Sequence, residues 1–308
     1  MDKIQLKDLD ISLEGNKRNY MPGDTVNGTV SFTVTGGRME VSRVRIALTC
    51  QTKTSWVENP GLRQHREGHT YSDQKTYIHF VYKIPDQLAL KHLEPGKHQI
   101  PFDFKLPVED IAPSYESDHG VIEYYVEVTI DETTVDEVQT VKTGITVQAP
   151  MRNNLHVSVD GTVEKVFTFP SVGVGSIKMY ASVVKKGFAS GHRIEVDSFT
   201  WNRSSLDATP RVTLYQTQVY MCGERHKAVD VALTDALVGQ VIKGSAQGME
   251  SFVLTIPDGL PLSFKSSLIT VKYFAHLTLD IPYAIDLHIN LPIVITTKEA
   301  LNNEIIIT

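Results

Sequence analysis

The sequence predicts an all-β chain built as two tandem β-sandwich domains. Three observations predict it. Apolar residues recur with a period of two over much of the chain, helical periodicity is scarce, and four blocks of the pattern occur twice in the same order. A chain of 308 residues with 41% apolar and 21% charged residues can fill two cores without disulfide staples, and it is too apolar for general disorder.

The alternation locates the strands. Val26, Gly28, Val30, Phe32 and Val34 interleave with Asn27, Thr29, Ser31 and Thr33. Val44, Ile46 and Leu48 form a second run, Ile122, Tyr124, Val126, Val128 and Ile130 a third, and Val271, Tyr273, Ala275, Leu277 and Leu279 a fourth. A period of two sends one set to a buried face and the other toward water, as in half-buried strands. Turn signals separate the runs at Pro22-Gly23-Asp24, Gly36-Gly37, Asn59-Pro60-Gly61, Pro95-Gly96, Asp160-Gly161 and Asp258-Gly259. The best helical candidate, Ala228–Leu237, reads equally as a strand, and residues 85–94 can form one helical turn.

The duplication fixes the domain count. Tyr20-x-x-Gly23-x-x-Val26 recurs as Phe188-x-x-Gly191-x-x-Ile194, and Val44 and Ile46 fall on Val212 and Leu214. Phe102-x-Phe104-x-Leu106-Pro107 recurs as Phe252-x-Leu254-x-Ile256-Pro257. Tyr124-x-Val126-x-Val128-x-Ile130-Asp131 recurs as Tyr273-x-Ala275-x-Leu277-x-Leu279-Asp280. The spacing between copies shrinks along the chain, so the first copy carries an insertion, expected in the polar stretch 58–76. The seam falls in Gln148–Leu155, giving domains 1–150 and 151–308 with a short tail from about residue 298.

Charge and composition exclude several function classes. Net charge is −6, against a dedicated nucleic-acid binder. The excess lies in residues 1–150, with 16 basic and 22 acidic side chains, while 151–308 holds 14 of each. Cys50 and Cys222 make no disulfide framework and suit a reducing compartment. The amino-terminal stretch alternates charged and apolar residues, unlike a signal peptide, and no run is long enough to span a bilayer, so an intracellular protein is expected. The glycosylation patterns at Asn27 and Asn202 would then go unused.

No pattern for catalysis or metal binding emerges. Arg63–His69 holds His-x-Glu without the Pro-Cys-x-x-Cys half that a zinc deaminase needs, and reads as a polar loop. HExxH and CxxC are absent, Gly244-Ser245-Ala246-Gln247-Gly248 has its serine one place early for a nucleophile elbow, and Gly173-Val174-Gly175 lacks a phosphate loop's remaining parts. No enzyme, cofactor or metal is expected.

The ordered set Tyr20-x-Pro22-Gly23-Asp24-x-Val26-x-Gly28, the strand Val41–Thr49, Gly96-x-His98-x-Ile100-Pro101-Phe102-x-Phe104-x-Leu106-Pro107 and Ser114-Tyr115-Glu116-x-x-x-Gly120-x-Ile122-x-Tyr124 spans the first half. Lys186-Gly187-Phe188-x-x-Gly191, Lys272-Tyr273 and Leu291-Pro292-Ile293-Val294-Ile295 follow in the second. In order, spacing and duplication, over about residues 8–297, the chain resembles the arrestin superfamily, in its arrestin-domain-containing (α-arrestin) branch. The resemblance implies two tandem arrestin-type, immunoglobulin-like β-sandwiches in an elongated, curved molecule. It implies a non-enzymatic adaptor in the cytoplasm, recruited to plasma membrane or endosomes. Such an adaptor binds cytoplasmic segments of membrane receptors or transporters and acidic membrane lipids, and so directs endocytosis, trafficking or signalling.

Three departures limit the implication. No Pro-Pro pair is present, so ubiquitin-ligase recruitment through PPxY is not expected. Ala246 stands where the thioredoxin-interacting member has its cysteine. Asn19 stands where the polar core of the receptor-binding arrestins has an acid, so phosphate-triggered unlocking by that route is not expected.

The resemblance also supplies site candidates. Lys17 and Arg18 sit at the place of a phosphate-meeting pair, with Lys3 and Lys7 as extensions of it, and ordinary solvated strand ends as the alternative reading. Lys185, Lys186, Arg225 and Lys227 are the candidates for a phosphoinositide-containing membrane, since clustered cations gain about 1 kcal/mol each near an anionic surface. The rival function is a self-assembling, membrane-associated scaffold, a homo-oligomer joined through sheet edges. The terminal Glu304–Thr308 run is expected on a sheet edge of its own or another chain.

Overall fold

In the computed structural model, residues 3–58, 68–84, 92–132, 137–168 and 174–303 are described. The chain divides into two compact units, Met1–Ala149 with Met221–Arg225, and Pro150–Tyr220 with His226–Thr308.

The strands of the first unit are β1 (Gln5–Leu13), β2 (Asn19–Tyr20), β3 (Thr25–Thr35), β4 (Met39–Glu58), β5 (His69–Val81), β6 (His92–Leu93), β7 (Gly96–Lys105), β8 (Tyr115–Ser117), β9 (Gly120–Glu132) and β10 (Glu137–Val147). They form a three-stranded sheet, β1-β3-β7, and a larger one, β2-β10-β9-β4-β5, with β6 on β4 and β8 on β9. The sequence alternation decides the packing. Val26, Val30, Phe32 and Val34 of β3 are buried on one side, and Ile46 and Leu48 of β4 with Val126, Val128 and Ile130 of β9 on the other. Each such side chain contributes roughly 1.5–3 kcal/mol through burial.

Apart from Met221–Arg225, the second unit has β11 (Val159–Phe167), β12 (Gly175–Val183), β13 (Gly187–Phe188), β14 (Arg193–Asn202), β15 (Thr209–Cys222), β16 (Arg225–Ala232), β17 (Leu237–Val238), β18 (Gln247–Thr255), β19 (Phe264–Lys265), β20 (Ile269–Asp280), β21 (Leu287–Ile295) and a short helix α1 (Lys298–Asn302). The sheets are β11-β12-β14-β18 and β13-β21-β20-β15-β16, with β17 on β15 and β19 on β20. Both units are β-sandwiches, and the topology repeats.

The repeat extends to individual hydrogen bonds. Tyr124 Oη donates to Ala112 O at 2.6 Å, and Tyr273 Oη donates to Pro261 O at 2.6 Å, each twelve residues upstream. Such corners let a buried tyrosine keep its hydroxyl satisfied while it pins a connection to a strand. Ser114 Oγ accepts from Val147 N at 2.9 Å, and Ser263 Oγ from Ile295 N at 2.9 Å. Gly23 N donates to Pro107 O and Gly191 N to Ile256 O, both at 3.0 Å. These two glycines have φ of +83° and +78°, a left-handed conformation that any Cβ strains, which is why both copies keep glycine there. Burial raises both tyrosine pKa values well above the ordinary phenol range. Tyr124→Phe and Tyr273→Phe are each expected to cost about 1–2 kcal/mol, read as a lower urea midpoint at unchanged slope.

Several expectations are refined. Most of the ambiguous run Ala228–Leu237 is extended: β16 runs through Ala232 and β17 begins at Leu237. The insertion lengthens a hairpin, for β4 and β5 run 20 and 13 residues where β15 and β16 run 14 and 8. Within 85–94, residues 85–91 lie outside the described residues and His92–Leu93 is β6. The tail from about residue 298 opens with α1, capped by Thr297 Oγ1, which accepts from Ala300 N at 3.1 Å. Leu301 of α1 is buried with Leu155, Ala189 and Val294. Glu304–Thr308 lies outside the described residues.

Candidate anion-binding groove

Lys17 and Arg18, the phosphate-meeting pair of the first unit, are already engaged. Lys17 Nζ contacts Asp24 Oδ2 at 2.9 Å and lies 4.8 Å from the centre of the Tyr20 ring. Asp24 also accepts from Met21 N at 3.0 Å. The Lys17 contact, with that backbone bond, holds the Asp24 carboxyl below its usual range. Arg18 Nη1 donates to Gly144 O at 3.0 Å. Lys3 precedes β1 instead of lying on it, and Lys7 is exposed on β1 just before a register shift at Lys7/Asp10. A phosphate at Lys17 would have to compete with a carboxylate held by the same turn.

The second unit gathers cations from separate strands. A groove of about 850 Å³ lies over β20, β21, β15 and β16. Lys186, His226, Lys265 and Lys272 line it, with Phe274 and Pro292 among the apolar lining. Alternation explains who points there. Val271, Tyr273 and Ala275 of β20 are buried, so Lys272 and Phe274 face outward. On β16 the groove takes His226, Ala228 and Asp230, and Asp230 is held by Thr217 Oγ1 at 2.6 Å. Arg225 and Lys227 therefore fall on the other side of that strand. Lys185 lies 5.2 Å from the centre of the Phe188 ring, and it is not part of the groove lining. Burial first, then Lys185 and Lys298, hold the nearby His192 imidazole below its ordinary value. Of the four lipid candidates, only Lys186 lines the groove. Lys265 and Lys272 meet across the local β19–β20 pairing, which the sequence does not announce because β19 is only two residues long, although the alternation of β20 already marked Lys272 as outward.

Above the groove the same sheet face carries a ring ladder. His276 stacks on His288 at 5.2 Å and meets Tyr215 edge-on at 5.6 Å. His276 Nδ1 is 2.5 Å from Asn290 Oδ1, and His288 Nδ1 is 3.3 Å from Thr278 Oγ1.

Other reactive groups are quiet. Cys50 is buried, and burial pushes its thiol up to about 11. Among the described residues no group of three or more His, Cys, Asp or Glu could hold a metal ion, and no helix is long and apolar enough to cross a membrane. Asn202 of the second glycosylation pattern is 1% exposed and hydrogen-bonded throughout, a structural residue.

Comparison with known proteins agrees with the duplicated architecture. Residues 9–154 match the family described as arrestin (or S-antigen), N-terminal domain, and residues 174–300 match its C-terminal domain. The chain is 25% identical to arrestin domain-containing protein 4 of Mus musculus over 302 residues, covering 95% of this chain and 72% of that protein. Against the Homo sapiens arrestin domain-containing protein 4 it is 29% identical over 208 residues, covering 67% of this chain and half of the relative. It is 21% identical to the Homo sapiens thioredoxin-interacting protein over 305 residues, covering 97% and 76%.

Proposed function

The chain belongs to the arrestin superfamily, in its arrestin-domain-containing branch, and from that premise we propose that it is an adaptor that joins membrane-protein segments to anionic membrane surfaces. At family level it is an arrestin-like adaptor. The single observation that carries the membrane half of the reading is the groove with Lys186, Lys265 and Lys272 beside His226. Lys265 and Lys272 of the paired strands β19 and β20 meet Lys186, from just before β13, over an apolar floor, which suits a headgroup with its phosphates facing the ammonium groups and its glycerol side against Phe274 and Pro292. The neutral charge balance of residues 151–308 favours such a local positive surface over the acidic first half. Receptor or transporter segments are the proposed cargo, with endocytic or sorting traffic as the output.

Sedimentation with vesicles tests the membrane half. Vesicles containing a phosphoinositide should retain the protein, and phosphatidylcholine alone should not. Replacing Lys186, Lys265 and Lys272 together with alanine is expected to weaken retention about 100-fold, at about 1 kcal/mol per cation. The same replacement at Arg225 and Lys227 should change retention far less. Equal binding to neutral and acidic vesicles would overturn the reading.

A further inference from the structure

The end strand of the second unit's four-stranded sheet, β18, is an open edge. It pairs with β14 in unbroken register, from Arg193 opposite Thr255 to Trp201 opposite Gln247, and with no other strand among the described residues. Its counterpart in the first unit is β7, the end strand of the three-stranded sheet. The repeat that sets Phe102 and Phe104 on Phe252 and Leu254 also sets Pro101 on Ser251. A proline in an end strand removes a donor from its outward row, and lysines discourage pairing; β7 has Pro101 with Lys97 and Lys105. β18 (QGMESFVLT) has no proline, lysine or bulge, and its Met249 and Val253 are 83% and 49% exposed. Of two duplicated edges, one is blocked and the other is open.

A cavity of about 490 Å³ lies beside this edge. β18 from Gln247 to Ser251 forms one wall, and residues 240–243 form another. The inward row of β14 changes character where it reaches the cavity: Ile194 and Val196 give way to Ser198 and Thr200, which line it at 3% and 1% exposure. A core row has no packing reason to turn hydroxylic. The Thr200 hydroxyl has no hydrogen-bond partner among the described residues, a costly state for a buried polar atom. Glu250 also lines the cavity, its carboxylate accepting from Gln240 N at 3.2 and 3.3 Å. Lys243 is in the lining but is paired with Asp207 at 2.7 Å. On the outer face of the sheet, Ser251 Oγ contacts Asp197 Oδ1 at 2.6 Å and Glu195 Oε1 at 3.1 Å, and no cation pairs with either acid among the described residues.

We propose that β18 is a strand-addition site for an extended basic peptide from a partner protein. The peptide backbone completes the open edge, and one lysine or arginine side chain enters the cavity. Main-chain pairing supplies affinity and a side-chain pocket supplies selectivity in this mode of recognition. An ammonium or guanidinium group carries donors only, and the cavity lining holds acceptors that it needs in Glu250 and Ser198. Glu195 and Asp197 give the approach the same sign. A second copy of this chain fits poorly, because two-fold pairing of β18 with itself would set the same carboxylates against one another. The proposal deepens the adaptor reading by naming a capture edge, and it is tested apart from the lipid groove.

The test is fluorescence anisotropy on the full chain. The probe is a labelled ten-residue peptide of alternating threonine and valine with one central lysine, beside a twin with glutamate there. The lysine peptide should bind with Kd of about 10–100 µM, and the glutamate twin at least about tenfold more weakly. Ser251→Pro, which transfers the block found in β7, should weaken binding at least about tenfold. Met249→Lys, at an exposed position where folding is not at stake, should do the same with unchanged Tm and unchanged vesicle binding. Glu250→Gln should narrow the gap between the two peptides. No saturable binding at about 1 mM protein, or equal binding by wild type and both edge variants, overturns the proposal. A concentration-dependent dimer that Ser251→Pro abolishes would assign the edge to a second copy and overturn it as well. Loss of vesicle binding with peptide binding intact touches only the groove.

Discussion

Replacing Asn202 with leucine is expected to lower the unfolding free energy by about 3–5 kcal/mol, among the largest single-site effects in this chain. The side chain is 1% exposed. Its amide donates to Leu206 O at 2.6 Å, Lys243 O at 3.1 Å and Ile242 O at 3.3 Å. Its carbonyl accepts from Ser204 Oγ at 2.8 Å and Ser204 N at 3.0 Å. One residue thus holds the end of β14 to the turn that follows it and to the segment that walls the β18 cavity. Leucine matches the volume but leaves buried carbonyls and an N–H unpaired, each worth about 1–3 kcal/mol. Urea denaturation checks it: the midpoint should fall with little change in slope. Thr200→Val, two positions earlier in the same inward row, removes a hydroxyl that has no partner and should change the midpoint little. If both substitutions cost the same, hydrogen bonding is not what Asn202 contributes.

Gly28→Ala is expected to destabilise the first sandwich by about 2–4 kcal/mol. Gly28 lies mid-strand in β3, opposite Leu13 on one side and Phe102 on the other. A Cβ there would sit 2.7 Å from the Ser12 carbonyl oxygen and would run into the Phe102 ring. The ring can turn aside; the carbonyl belongs to the neighbouring strand and cannot. Phe102→Leu in the Gly28→Ala background should therefore restore only part of the loss, while Thr29→Ala should cost less than about 1 kcal/mol. Thermal unfolding of the four proteins separates ring from backbone.

The sequence shows what depends on local pattern and hides what depends on sheet order. Val126, Val128 and Ile130 are readable as one buried face because every second residue of a half-buried strand is apolar. The duplication is readable because Tyr20, Phe102 and Tyr124 keep their chemistry in Phe188, Phe252 and Tyr273. Gly28 is visible as part of a motif, yet its reason, a carbonyl of β1, lies sixteen positions away in another strand. Strands of two residues such as β2 and β13 carry no period at all. The extent of the insertion is visible but not its form, because a polar hairpin and a polar loop have similar compositions. The groove lysines are the clearest loss: Lys186 comes near Lys265 and Lys272 only because β13 pairs with β21, which lies beside β20. Adjacent pairs such as Arg225 and Lys227 attract notice in a sequence, but neighbours at that spacing share a strand face that here turns away from the groove.

The short parallel pairings have a kinetic consequence. β2 pairs with β10 at Asn19–Tyr20 and Thr146–Val147, and β13 pairs with β21 at Gly187–Phe188 and Val294–Ile295. Each joins the first strand of a unit's larger sheet to that unit's last long strand. During synthesis, Tyr20 has no edge to rest against until Val147 has left the ribosome, and Phe188 waits likewise for Ile295. Neither of the two larger sheets can mature stepwise from its amino end. Each must gather nearly its whole length before it closes, which places folding in the slow regime of non-local β topologies, about milliseconds to seconds. During that wait the long β4–β5 hairpin, made of contiguous chain, is the part most able to form early.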